Sequence, residues 1–149
     1  MFSHILIPTD GSKLAAKGIR AGVKLARAVG AKVTGLYVIF PYVPPAYGEA
    51  TLYHVPGMSP QDCKKIFLKQ AAQALAVIQS QAKTAGVRCQ VKHVTGGQPW
   101  EAILRTARSA KCDAVVMASH GRSGLGGVIL GSETNHVLAK SKIPVLVVR

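Results

Sequence analysis

The chain has 149 residues, 48% of them hydrophobic, enough for one domain with a substantial core. No apolar run approaches the ~20 residues needed to span a bilayer, and the opening MFSHILIPTDGS lacks the basic start and small-residue cleavage site of a signal peptide. Nineteen Lys and Arg against six Asp and Glu give a net charge of +13, a balance that favours anionic partners: nucleotide, nucleic acid or an acidic surface.

In chain order, His4-Ile5-Leu6-Ile7 reads as a short buried strand. Pro8-Thr9-Asp10-Gly11-Ser12 reads as a turn, with Ser12 suited to cap the helix that runs to about Val29. Ala15, Ile19, Ala26 and Val29 lie on or near one face of that helix, and Gly30 ends it. Lys32 to Ile39 follows as a second strand. This βαβ unit requires parallel strands and a right-handed crossover. Asp10 then stands at the carboxyl end of the first strand, where open α/β sheets bind ligands. An Asx turn or cap is the plainer role for the same residue.

Phe40 to Pro60 holds five prolines with Tyr42, Tyr47 and Tyr53 and has no regular pattern. A flap over a bound base and a plain insertion are both open at this point. Gln61 to Ala85 is a long helix, with Leu68, Ala72, Leu75, Ile78, Ala82 and Ala85 at steps of three or four and Gly86 as its stop. Val87 to Val94 alternates, with Val87, Cys89, Val91 and His93 on one side, as an edge strand does. Gly96-Gly97-Gln98-Pro99 turns into a helix with Trp100, Ile103, Leu104 and Ala107 on one face, and Trp100 reads as core rather than as a ligand platform.

Asp113 to Thr134 organises the rest. A buried strand, Ala114 to Met117, leads through a glycine-rich loop to Gly131-Ser132, where a helix begins with Val137 and Leu138 turned inward. Ser132 is placed to cap that helix and also to present its hydroxyl to a phosphate. Strand, glycines and helix N-terminus together make a phosphate site, because the glycines admit the ligand to the backbone and the free N–H groups favour an anion. Ile143 to Val148 is the last strand. Five strands and four helices in strict alternation describe a single doubly wound α/β domain over residues 1–149, with helices on both faces of a parallel sheet.

The loop is neither of the common phosphate loops. No lysine precedes Ser132, so the Walker pattern fails. Gly124 and Gly126 begin a dinucleotide fingerprint, but Ile129 stands where its third glycine belongs. Ala118-Ser119-His120-Gly121, nine residues, then Gly131-Ser132 instead resembles the G-x-x-G-x9-G-S/T loop of ATP-binding universal stress proteins, with Ala118 in place of the first glycine. The resemblance covers the whole chain and implies a sheet order of 3-2-1-4-5. It implies ATP as ligand, with Val38 meeting adenine through its backbone and Pro8, Thr9 and Asp10 lining base and ribose. Met117 and Ala118 would face them, and Gly121, Gly131, Ser132 and Thr134 would hold the phosphates. Arg122 joins the phosphate group on charge and location alone. Glu133 suits a helix N-terminus but competes with a phosphate there, a conflict that a solvent-pointing side chain removes. His120 lies in the loop, and a loop-stabilising hydrogen bond is its favoured role over phosphate contact.

The implied reading is a cytoplasmic, regulatory ATP-binding module in stress response. Mg²⁺ would arrive with the nucleotide, since the histidines and acids show no protein metal cage. No acids pair for acid/base work and no nucleophile elbow is present, so a slow ATPase is the second reading. A module for nucleic acid or acidic proteins is the third. It is not favoured, because the charges are dispersed, with Lys64-Lys65 and Lys69 the densest cluster, and no aromatic-basic string accompanies them. Cys63, Cys89 and Cys112 are an odd number without ligand spacing, as expected of thiols in a reducing compartment. In the implied order the last strand is a sheet edge, and its uncharged Val145-Leu146-Val147-Val148 predicts a homodimer with these strands paired across a two-fold axis.

Overall fold

The computed structural model describes residues 1–39, 57–121 and 130–149. Its elements are β1 (His4–Thr9), α1 (Lys13–Val29), β2 (Lys32–Ile39), α2 (Pro60–Thr84), β3 (Cys89–Thr95), α3 (Pro99–Ser109), β4 (Ala114–Ala118), α4 (Ser132–Lys140) and β5 (Val145–Val148). All ladders are parallel and the sheet runs β3-β2-β1-β4-β5, the order the resemblance implied. No described helix is long and apolar enough to cross a membrane.

Alternation along the central strands divides the core in two. Ile5, Ile7, Val33 and Val116 pack with Ile19 and Val23 of α1 and Leu75 and Ile78 of α2. Leu6, Leu36, Val115 and Met117 face the other way, onto Ile103 and Ala107 of α3 and Val137 of α4. The helix ends follow local chemistry. Ser12 Oγ accepts from the Ala15 N–H at 3.0 Å, and Gly30, in the left-handed region at φ 72, closes α1.

Four expectations need correction. Pro60 is not loop but the first residue of α2, where its missing N–H costs nothing, behind Ser59 as cap. Leu138 is 40% exposed, because α4 has only nine residues and turns Val137, not its neighbour, to the sheet. His93 is exposed although it shares the face of Cys89 and Val91, while Val94 packs on the opposite face against the α3 core. Finally, β1 extends through Pro8 and Thr9, which read as a turn. Pro8 is tolerated in this central strand because of where it stands. Pairing with β2 continues to Thr9↔Tyr37, but pairing with β4 ends at Leu6↔Val115. A residue without an N–H thus stands where β1 and β4 part, and the gap between them opens toward the carboxyl end of the sheet.

A polar crosslink holds the amino end. Asp113 accepts from the Ser3 N–H at 2.8 Å, the Ser3 hydroxyl at 2.7 Å and the His4 N–H at 3.0 Å. Partial burial opposes its charge, but these hydrogen bonds hold its carboxyl below the usual carboxylate value. Buried His4 meets the Thr34 hydroxyl through Nε2 at 2.8 Å, and Gln90 Nε2 donates to the same oxygen at 2.9 Å.

Candidate functional site

A cleft of about 520 Å³ lies at the carboxyl end of the sheet, where β1 and β4 separate. This is the topological switch point of the fold. Pro8, Thr9 and Asp10 form one wall, Val38 lies beside them on β2, and Met117 and Ala118 stand opposite on β4. Gly121, Gly131, Ser132 and Thr134 border the same space. Ten of the eleven residues expected at the site therefore converge on one cleft. Arg122 lies outside the described residues, as do residues 40–56 of the expected flap.

Both glycines stand against close neighbours, a side chain for Gly121 and backbone for Gly131. A Cβ on Gly121 would lie 2.6 Å from Asp10 Oδ2, so the loop after β4 touches the carboxylate that follows β1. Gly131 has φ −61 and ψ 152, values open to any residue. What crowds a side chain there is contact: its Cβ would lie tight against Ser119 O at 3.3 Å and His120 Cα at 3.4 Å. The Gly131 N–H donates to Ser119 O at 2.9 Å and draws the start of α4 against the end of β4. Ala118 lies in β4 and is absent from the positive-φ residues, so strand geometry accommodates its methyl.

The start of α4 presents backbone donors. Its first intrahelical bond runs from the Asn135 N–H to Gly131 O, so the amides of Ser132, Glu133 and Thr134 precede the ladder. Gly131, not Ser132, is the capping residue, and no side chain caps this helix. Ser132 is the first helical residue and its side chain is exposed. The Thr134 hydroxyl donates to Ala118 O at 3.1 Å, so its one O–H is committed and its backbone amide is what it can direct at an anion.

Asp10 forms the turn weighed for it and borders the cleft as well. Its Oδ1 accepts from the Ser12 N–H at 2.9 Å in an Asx turn, and the carboxylate also lines the cleft. His120 Nδ1 lies 3.0 Å from the Ser119 hydroxyl, the loop bond favoured for it, while its ring borders the cleft. Glu133 does not point to solvent. Its Oε2 accepts from the Trp100 N–H at 2.8 Å and supplies the cap that α3 lacks, because Gln98 makes no side-chain cap bond. The carboxylate is thereby taken across to α3 and away from the start of its own helix. Trp100 is half-buried against the α3 and α4 core, its ring centroid 5.5 Å from that of His136 and 5.2 Å from Lys140 Nζ. It does not line the cleft.

Phe67 and Gln70 of α2 and Ile103 of α3 border the cleft without having been expected there. Gln70, a polar residue at a half-buried helical position, was the one local sign. Apolar walls, two acidic residues (Asp10, and Glu133 with its Oε2 held by the Trp100 N–H) and a helix start form a site that can hold a flat apolar ring at one end and an anion at the other.

The universal stress protein family model matches residues 1–149. The universal stress protein YxiE of Bacillus subtilis is 30% identical over 149 residues, spanning all of both chains. A universal stress protein of Thermus aquaticus is 31% identical over 149 residues with the same full coverage. Among solved structures, the protein MJ0577 is 28% identical with a TM-score of 0.77, covering 99% of this chain and 96% of that one. Two further structures share the fold. A universal stress protein in complex with cAMP has 23% identity and a TM-score of 0.69, covering 99% of this chain and 97% of that one. One from Archaeoglobus fulgidus in complex with dAMP has 16% and 0.65, covering 100% and 98%.

Proposed function

Because this chain belongs to the universal stress protein family, we propose that it is a regulatory module that binds ATP in the cleft between β1 and β4. The observation that carries the reading is the convergence of Pro8, Thr9, Asp10, Val38, Met117 and Ala118 with the Gly121 and Gly131-Ser132 backbone on one space of about 520 Å³. That volume is within the usual range for small-molecule sites. The adenine mononucleotides held by two proteins of the same fold agree with a nucleotide ligand.

In this reading Val38 meets adenine through its backbone, and the Asp10 carboxylate, whose Oδ1 also closes the Asx turn, faces the ribose. The phosphates lie at the start of α4, where the amides of Ser132, Glu133 and Thr134 and the Ser132 hydroxyl point at charge and the helix dipole favours it. Arg122 adds a cation to the same group. Docking of Glu133 on α3 keeps a carboxylate from competing there. Mg²⁺ comes with the phosphates, whose oxygens supply its ligands together with water.

The proposed assembly is a homodimer through β5, which pairs with β4 on one side only and leaves Leu146 48% exposed. The proposed compartment is the cytoplasm, in keeping with three free cysteines. Calorimetric titration of Mg-ATP into the protein, with Asp10→Ala as control, tests the site. Saturable one-to-one binding that the variant weakens at least tenfold is expected. Absence of binding at 1 mM ATP, or equal affinity in a folded Asp10→Ala protein, overturns it.

A further inference from the structure

The net charge of +13 is not spread evenly. Every helix runs against its strands, so helix ends and strand starts gather at the end of the sheet away from the cleft. Hydrogen bonds tie those starts side by side: Val33 N–H to Arg88 O, Lys32 N–H to Ser3 O, Asp113 N–H to His4 O and Val115 N–H to Pro144 O. Arg88, Lys111 and Lys142 stand in the turns of this row and Lys32 opens β2, all exposed. Arg27, Lys83 and Arg108, in the last turns of α1, α2 and α3, flank it and are exposed as well.

Acids are sorted the other way. Asp10 follows β1, and Asp62, Glu101 and Glu133 occupy first helical turns at the cleft end. Asp113 alone among the described acids is at the basic end, and its carboxylate is taken up by Ser3 and His4. Helix stability explains Arg27, Lys83 and Arg108, whose charges suit helix C-termini. It does not explain Lys32, Arg88, Lys111 and Lys142. Lys111 is the sharpest case. It has φ 54, the left-handed region, at the place after α3 where Gly30 and Gly86 follow α1 and α2 at φ 72 and 67. A lysine is thus kept where glycine relieves about 1 kcal/mol of strain.

We infer that this end of the sheet is a second binding surface, which takes the phosphate backbone of duplex nucleic acid without reading its sequence. Five strands at ~4.8 Å set a row ~19 Å wide, which spans about eleven of the charges spaced at ~1.7 Å along a duplex axis. A duplex is favoured over a single strand because base stacking needs exposed aromatic rings, and Phe2, the described aromatic side chain at this end, packs against the core. It is favoured over an anionic membrane because Met1 is the one described large apolar side chain exposed at this end. The inference stands apart from nucleotide binding, which uses the opposite end of the sheet.

The test is fluorescence anisotropy of a labelled 20-base-pair mixed-sequence DNA duplex titrated with full-length protein from 50 to 200 mM KCl. Seven contacts at ~0.9 each predict a slope of log K against log salt near −6, and five contacts still predict a roughly 500-fold loss over that range. One variant combines Lys32→Gln, Arg88→Gln, Lys111→Gly and Lys142→Gln. A matched control removes four exposed lysines from the first half of α1 and α2: Lys13→Gln, Lys17→Gln, Lys64→Gln and Lys69→Gln. Both are checked for native circular dichroism. The first should flatten the slope by about 3.6 and the control by less than 1. Equal flattening in both would mean diffuse attraction to net charge and would overturn the assignment. So would no saturable binding at 100 μM protein in 50 mM KCl, tighter binding to a single strand of the same length, or tighter binding to phosphatidylserine vesicles at the same salt.

Discussion

Ser132→Ala separates ligand contact from helix stability. Ser132 is the first residue of α4 and is exposed, while the capping position belongs to Gly131, which has no side chain to lose. The Ser132 hydroxyl therefore holds no part of the helix. Removing it should change stability by less than about 0.5 kcal/mol, under ~2 °C in Tm for a domain of this size. A hydrogen bond from that hydroxyl to a phosphate oxygen contributes about 1.5–3 kcal/mol, so ATP affinity should fall roughly 10- to 150-fold. Gly131→Ala supplies the contrast. Its new methyl meets backbone atoms at 3.3 and 3.4 Å, an overpacking worth about 1–3 kcal/mol, so Tm and affinity should fall together. The assays are calorimetric titration of ATP and a thermal melt of the unliganded proteins. Ser132→Ala with affinity within twofold of wild type removes the hydroxyl from the phosphate site. A Tm loss of 3 °C or more without ligand refutes the capping argument.

Three further outcomes are expected. Burial, and then the charge of Lys32, hold the His4 imidazole below its usual 6.5; the unfolded chain takes up a proton that the native state refuses, so this stability is whole above about pH 6.5 and is lost as pH falls, and thermal melts between pH 7.5 and 5 should show a shallower decline for His4→Gln than for wild type. Burial, and then Asp113, push the Cys112 thiol up to about 11, so iodoacetamide at pH 8 should alkylate it about 100-fold more slowly than in the urea-unfolded chain, and equal rates would contradict the packing around it. Leu146→Asp puts a charge on the exposed strand edge and should convert a dimer to monomer in sedimentation at 20 μM, whereas an unchanged dimer would place the interface elsewhere.

Features set by short-range chemistry were legible in the sequence. The bounds of β2 and the Ser12 and Gly30 ends of α1 follow from caps and periodicity that act within a few residues. Misreadings occurred where a distant element decided the outcome. Pro8 reads as a breaker unless one knows that β4 has already left β1 at that point. Leu138 fits an apolar stripe that so short a helix does not bury. The Glu133 contact joins residues 33 positions apart, and nothing local announces it. At the site, the motif identified the two glycines, but their neighbours, Asp10 beside Gly121 and Ser119 beside Gly131, are contacts between segments apart in sequence. Phe67 and Gln70 reach the cleft only through the packing of α2 on the sheet, which periodicity places on a face but not against a ligand.

The central place of β1 also sets a timetable for synthesis. The first strand made pairs with β2 as soon as that strand emerges, but its other neighbour begins at Ala114. At roughly 5–20 residues per second, translation leaves that side of β1 without its strand for about 5 to 20 seconds. During that interval Ile5 and Leu6 have a bare backbone edge of the kind that recruits other chains. In the folded protein that side is closed by β4, and Asp113 takes the Ser3 and His4 donors across 110 residues of sequence. A nascent chain stalled before β4 holds three of the five strands and only one wall of the cleft, so the cleft waits on β4 and on α4, which follows it.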